Sequence, residues 1–185
     1  IRHTAVIPVA GDQITNDIAH ALRTPTPEAE EIKIHYGVAL QQMADPDEMF
    51  EVPGIGERGP RRLSRLALAD VIEPRVTELF ELIQSELKRS GYQELLSSGI
   101  VLTGGSSVMR GMVELGEEIF HMPVRLGMPK YTGSLAEVVQ HPRYATAMGL
   151  LLEGMAQKKR GIQAHRTRTF KQVLGNMKSW FEKNF

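Results

Sequence analysis

The chain has 185 residues, 42% hydrophobic and 24% charged, and its 22 basic side chains cancel its 22 acidic ones. That is enough chain for one ordinary globular domain or two small ones. The absence of cysteine excludes disulfides and thiolate metal sites and fits a reducing compartment. No apolar run approaches the ~20 residues of a membrane span, and no signal peptide precedes the first strand.

The zero net charge hides an asymmetry. Residues 156–185 hold eight Lys and Arg against one acid, Glu182, so eight minus one gives +7, and the remainder carries −7. A basic tail on an acidic body points to a polyanionic partner, nucleic acid or an anionic membrane. The chain begins at Ile1, without methionine and in mid-strand, as expected of a piece of something longer.

In chain order, "HTAVIPV" (3–9) reads as a strand closed by Gly11. "DQITNDIAHAL" follows as a helix with Ile14, Ile18 and Leu22 on one face. Thr26 and Pro27 suit the N-cap and first position of a second helix. Glu28, Glu30 and Glu31 lie near its positive end, and Gly37 is a plausible stop. Residues 43–63 are rich in Pro, Gly and charge and read as a hairpin-like region. A long helix is expected over 66–88, with Leu79, Leu82, Ile83 and Leu87 as its apolar stripe. Pro74 either kinks it or opens its second part.

"IVLTGGSSVMRGM" (100–112) reads as strand, tight turn and helix, the helix running over about 108–120. Gly104 and Gly105 remove two Cβ atoms where another group could approach the backbone, and Ser106 or Ser107 can cap the helix. A glycine pair alone leaves open whether the turn serves a nucleotide or only its own geometry. "PVRLGMP" is a further strand, "YATAMGLLLEGM" a last core helix, and 156–168 a flexible basic linker.

Catalytic patterns are missing. There is no nucleophilic cysteine, no G-x-S-x-G elbow, no P-loop and no G-x-G-x-x-G. The six histidines are scattered, with none paired at metal-ligand spacing, so no metal site is expected. Arg58, Arg61, Arg62, Arg65 and Arg75 fall close together, without the interleaved aromatics of a single-strand nucleic-acid surface. The final stretch, "FKQVLGNMKSWFEKNF", is more telling. At ~100° per residue, Phe170, Val173, Leu174, Met177, Trp180, Phe181 and Phe185 fall in one arc of about 140°. Lys171 and Lys178 sit at one edge of that arc and Lys183 on the polar side. This is the pattern of a helix lying in a membrane interface, with Trp180 at headgroup level. Docking of the same face on the protein core is the alternative.

Taken together, "VIPVAGDQITNDIAHAL", "EAEEIKIHYG", "VIEPRVTELFELI", "IVLTGGSSVMRGM" and "HPRYATAMGLLL" resemble the C-terminal half of the FtsA family of bacterial cell-division proteins, in the actin and Hsp70 superfamily. The resemblance spans essentially the whole chain, tail included. It implies an α/β, actin-like (ribonuclease H-like) lobe with a smaller inserted α/β subdomain and a C-terminal amphipathic helix. The inner subdomain would comprise 1–10 and 91–155 and the outer one 11–90. Residues 156–168 would be the linker and 169–185 the membrane-targeting helix.

The resemblance also implies ATP as cofactor. Gly104, Gly105 and Ser106 would line the nucleotide, with Val108 near the base. Glu30 and Lys33, matching an E-x-x-K pair, would hold ribose and adenine, and Gly11 would open the first helix near the cleft. The phosphate loops and the aspartate that anchors Mg²⁺ would precede Ile1, so ATP binding by these residues alone should be weak or absent. Micromolar affinity in calorimetry would overturn that expectation. Hydrolysis, at most weak, is assigned to no residue here. The implied partners are the C-terminal tail of FtsZ at Arg75, with Arg62 and Arg65 in support, an anionic membrane surface, other division proteins and further copies in filaments, with no nucleic acid. The implied location is peripheral, on the cytoplasmic face of the inner membrane at the division site. The nucleotide-binding lobe of an Hsp70-like chaperone is the alternative; it would lead into a β domain and not into such a tail.

Overall fold

The computed structural model describes residues 1–54, 59–131, 133–134 and 136–160. They fall into two compact units, Ile1–Ala145 and a second that starts at Thr146.

Helix α1 (Gly11–Leu22) buries Ile14, Ile18 and Leu22, the stripe its spacing predicts. At its start the Gln13 side chain reaches back and accepts from the Ala10 N–H at 3.0 Å. Helix α2 (Thr26–Tyr36) starts one residue earlier than expected, with Pro25 at the N-cap position and no side-chain cap, and Pro27 in its first turn. Gly37 does end it, but in an extended conformation (φ −58°) and not a left-handed one.

Strands β1 (Met49–Val52) and β2 (Arg61–Ser64) pair antiparallel, which bears out the hairpin-like reading. Ser64 then caps helix α3 (Arg65–Ser90), its hydroxyl accepting from the Ala67 N–H at 3.2 Å. Pro74 lies inside this helix. The buried face of α3 is Leu68, Ile72, Val76 and Phe80, whereas Leu82 is 40% exposed. The stripe expected from Leu79, Leu82, Ile83 and Leu87 is therefore corrected: Leu79, Ile83 and Leu87 only flank the core. Residues four apart advance by about 40° around a helix, and the buried row drifts as α3 passes from α1 to α4.

Strand β3 (Ile100–Leu102) leads through a 3₁₀ turn (Gly105–Val108) to helix α4 (Met112–Phe120) and then to strand β4 (Val124–Leu126), which lies parallel to β3. The α-helix thus begins at Met112, behind Gly111, and neither Ser106 nor Ser107 caps it. Short α5 (Ala136–Val139) and a 3₁₀ turn (Pro142–Tyr144) complete the first unit. One core joins α1–α4 and the four strands: Ile14, Ile18 and Leu22 meet Ile32, Phe50, Ile72, Phe80, Leu115, Phe120 and Val124.

Other expectations fail as well. Residues 3–9 form no strand, because among the described residues no neighbour pairs with them, and Val6 is 94% exposed. His3 tethers the segment to α3, its Nε2 lying 2.7 Å from Glu86 Oε1. Hydrogen bonds from Arg89 first, and from His3 second, hold the Glu86 carboxyl down at about 2. Helix α6 (Ala145–Lys159) is no core helix: Leu150, Leu151, Leu152 and Met155 are exposed. It also runs on through 156–159, where a flexible linker was expected. None of the described helices is long and apolar enough to cross a membrane.

Candidate functional site

The site is built where α1 and α2 meet the turn after β3. Glu30 and Lys33, one turn apart on α2, form an ion pair with Lys33 Nζ 2.5 Å from Glu30 Oε2. The Lys33 ammonium is buried, and it donates also to Thr15 Oγ1 at 2.8 Å and to the Gly11 carbonyl at 3.1 Å. Those three bonds use its three N–H groups, which a buried ammonium requires. The Thr15 hydroxyl in turn donates to Glu30 Oε2. Partial burial opposes the charge on Glu30, but the hydrogen bonds from Lys33 and Thr15 and the charge of Lys33 prevail and hold its carboxyl below the usual range.

Opposite stands the glycine turn. Gly104 has φ +98°, a conformation that a side chain would strain. Its carbonyl accepts from the Ser107 hydroxyl at 2.8 Å, and its N–H donates to the Pro142 carbonyl at 3.2 Å. A Cβ on Gly105 would meet no protein atom within 4 Å, so packing does not demand glycine there and the backbone is open to an approaching group. Gly11 is different: a Cβ there would stand 2.4 Å from Ser106 Oγ. A side chain at position 11 would make the Ser106 hydroxyl turn away, since the start of α1 lies against the turn.

Between the two sides lies a cavity of about 450 Å³, within the usual range for small-molecule sites. Gly11, Glu30 and Lys33 line one side, and Gly105, Ser106 and Val108 the other. The structure thus brings together six of the seven residues expected at the nucleotide; Gly104 shapes the turn without lining the cavity. Ile34, 55% exposed, and Val108, 43% exposed, present apolar surface to it. The cavity thus offers apolar surface from Ile34 and Val108 and, in Glu30, a carboxylate held ionised that can accept hydrogen bonds from hydroxyl groups. Sequence reasoning missed Thr15, Ile34, Arg110 and Arg143. Thr15 leaves no signature in a sequence, since its role depends on how α1 packs on α2.

The arginines do not form one patch. Arg65 lines the same cavity, donating to the Tyr36 carbonyl at 2.9 Å and to Glu48 Oε2 at 2.6 Å. Arg75 ties α3 to α1 through a two-pronged pair with Asp17, at 2.5 and 3.0 Å, and also meets Glu78. These bonds, Asp17 first, raise its pKa further. Arg62 is exposed on β2, opposite Glu51, and Arg61 donates to the Leu22 carbonyl. Arg58 and the tail residues Phe170, Val173, Leu174, Met177, Trp180, Phe181 and Phe185 lie outside the described residues.

A sequence model for "Cell division protein FtsA" matches residues 1–149. The chain belongs to the FtsA family. FtsA of Pseudomonas aeruginosa is 55% identical over all of this chain and 46% of its own length. FtsA of Escherichia coli is 40% identical over the same shares. The chain thus spans about half the length of these FtsA relatives. The fold agrees: MreB5 of Spiroplasma citri bound to ADP superposes with a TM-score of 0.65 at 16% identity, over 85% of this chain and 48% of that one. The AMPPNP-bound form gives 0.66 at 17% identity, over 83% and 46%. The lobe is mixed α/β and actin-like, as expected. Membership in the FtsA family removes the ground for a chaperone lobe.

Proposed function

We propose that this chain is one lobe of an ATP-binding division protein that self-assembles and tethers FtsZ filaments to the inner face of the cytoplasmic membrane. The observation that carries the nucleotide part is the cavity itself, with a buried ammonium and an ionised carboxylate facing an open glycine turn. In this reading the adenine lies between Ile34 and Val108, the Gly105 backbone lies against the adenosine, and Glu30 accepts from ribose hydroxyls. Actin-like relatives of the same fold are solved with ADP and AMPPNP, which supports nucleotide as the occupant. Residues 1–10 and 91–155 then act as the inner subdomain and 11–90 as the outer one. Among the described residues no three His, Asp or Glu side chains are grouped to hold a metal ion.

Tethering rests on the arginines and the tail. Arg75, with Arg62 in support, supplies the guanidinium groups proposed for the carboxylates of an FtsZ tail, whereas Arg65 lines the nucleotide cavity and bonds to Glu48 and the Tyr36 carbonyl. The basic stretch and the aromatic stripe after it are proposed to lie on anionic lipid, and self-assembly multiplies a weak single anchor.

Photo-labelling with a saturating azido-adenosine triphosphate tests the nucleotide site even if affinity is low. The expected result is label within 30–37 or 104–109 that excess ATP removes. Label elsewhere, or label that ATP does not displace, overturns the reading.

A further inference from the structure

We infer that Thr15 is a positioning residue for the nucleotide site, setting the Glu30–Lys33 pair through one buried hydroxyl. The inference rests on the adenosine reading above. Thr15 is 3% exposed, touches both members of the pair, and comes from α1 while they come from α2. Its Oγ1 accepts from Lys33 at 2.8 Å, leaving its single proton for either Glu30 or the Gly11 carbonyl at 3.1 Å. The carboxylate is the stronger acceptor, so the proton goes to Glu30. The hydroxyl therefore relays between cation and anion and fixes their separation from a second helix. Lys33 has no N–H left over, so it reaches a ribose only by giving up one of these bonds. Glu30, whose side chain is 42% exposed, is the member of the pair free to accept from a ligand. Thr15 and Lys33 hold its carboxylate ionised and aimed.

The test compares Thr15→Val, which keeps the shape without the hydroxyl, with Thr15→Ser, which keeps the hydroxyl. Two readouts are taken on the 185-residue chain. The first needs no nucleotide: the acetylation rate of Lys33 by a soluble acylating reagent, read by mass spectrometry, with exposed lysines as internal controls. Thr15→Val should raise it about tenfold, as loss of a hydrogen bond to a charged group implies, while Thr15→Ser matches wild type. Equal Lys33 rates in all three chains overturn the positioning role. A rise in the control lysines too would mark general loosening, and it also overturns the role if Thr15→Ser shares it. The second is the half-saturation of azido-adenosine labelling, which should rise about fivefold in Thr15→Val and be restored in Thr15→Ser. Wild-type label that falls outside 30–37 and 104–109, or that excess ATP does not displace, overturns the adenosine reading and this role with it. Labelling present and unchanged in Thr15→Val overturns Thr15 alone.

Discussion

Arg75 spends its guanidinium on this chain's own carboxylates, and that changes how its part in peptide binding must be tested. It is 29% exposed and pairs with Asp17 on α1 and Glu78 on its own helix. A partly solvated pair of this kind contributes about 1 kcal/mol. Arg75→Glu would lose that and set three carboxylates together, so weakened FtsZ-tail binding could come from the broken α1–α3 tie alone. The exchange Asp17→Arg with Arg75→Asp keeps opposite charges across the two helices. It should regain most of the melting temperature lost in Arg75→Asp. If the Arg75 guanidinium is what the peptide recognises, its binding should stay weakened at least tenfold in a fluorescence titration. Tight binding by the exchanged chain would remove Arg75 from the peptide surface.

At the scale of elements, α3 shows both what sequence pattern reveals and where it stops. Its existence and length were plain from composition, and α1 was legible down to its buried residues because Ile14, Ile18 and Leu22 repeat every four positions on a short helix. On the 26 residues of α3 the same logic selected the wrong row, because the helix has two neighbours in succession and the buried row turns between them. Phe80 is 1% exposed and packs at 5.2 Å between ring centroids, tilted 49°, against Phe120 of α4. Phe80→Ala should cost about 3–5 kcal/mol. Leu82→Ala, in the stripe that sequence favoured, should cost under about 1 kcal/mol. Urea midpoints at constant slope distinguish the two, and similar losses would contradict the observed face. The strand expected at 3–9 failed for a different reason. Strand propensity describes a segment, but a strand exists only where a second one supplies its hydrogen-bond partners. The site followed the same division: the glycine turn alone left its purpose open and Glu30 and Lys33 read alone as an ordinary helical ion pair, so their place came from the family resemblance, while Thr15 and the place of Arg65 depend on contacts between distant segments.

At the scale of the whole molecule, two apolar features compete to explain membrane attachment. One is the sequence arc of Phe170, Leu174, Trp180 and Phe181, preceded by the basic stretch. The other is the exposed Leu150, Leu151, Leu152 and Met155 of α6. Truncation separates them, since residues 1–160 retain α6 and lose the arc. Each lysine near anionic lipid contributes roughly 1 kcal/mol, screened by salt, and the apolar groups add a part that salt does not weaken. In co-sedimentation with anionic vesicles the 185-residue chain should pellet and residues 1–160 should stay in solution. Salt should weaken the binding of the longer chain without abolishing it, and Trp180→Glu, a charge set at headgroup depth, should release it. Pelleting of both chains would move the membrane contact to α6. If neither pellets, either the tail docks on the body or one copy binds too weakly without assembly, and the tether then rests on the family resemblance alone.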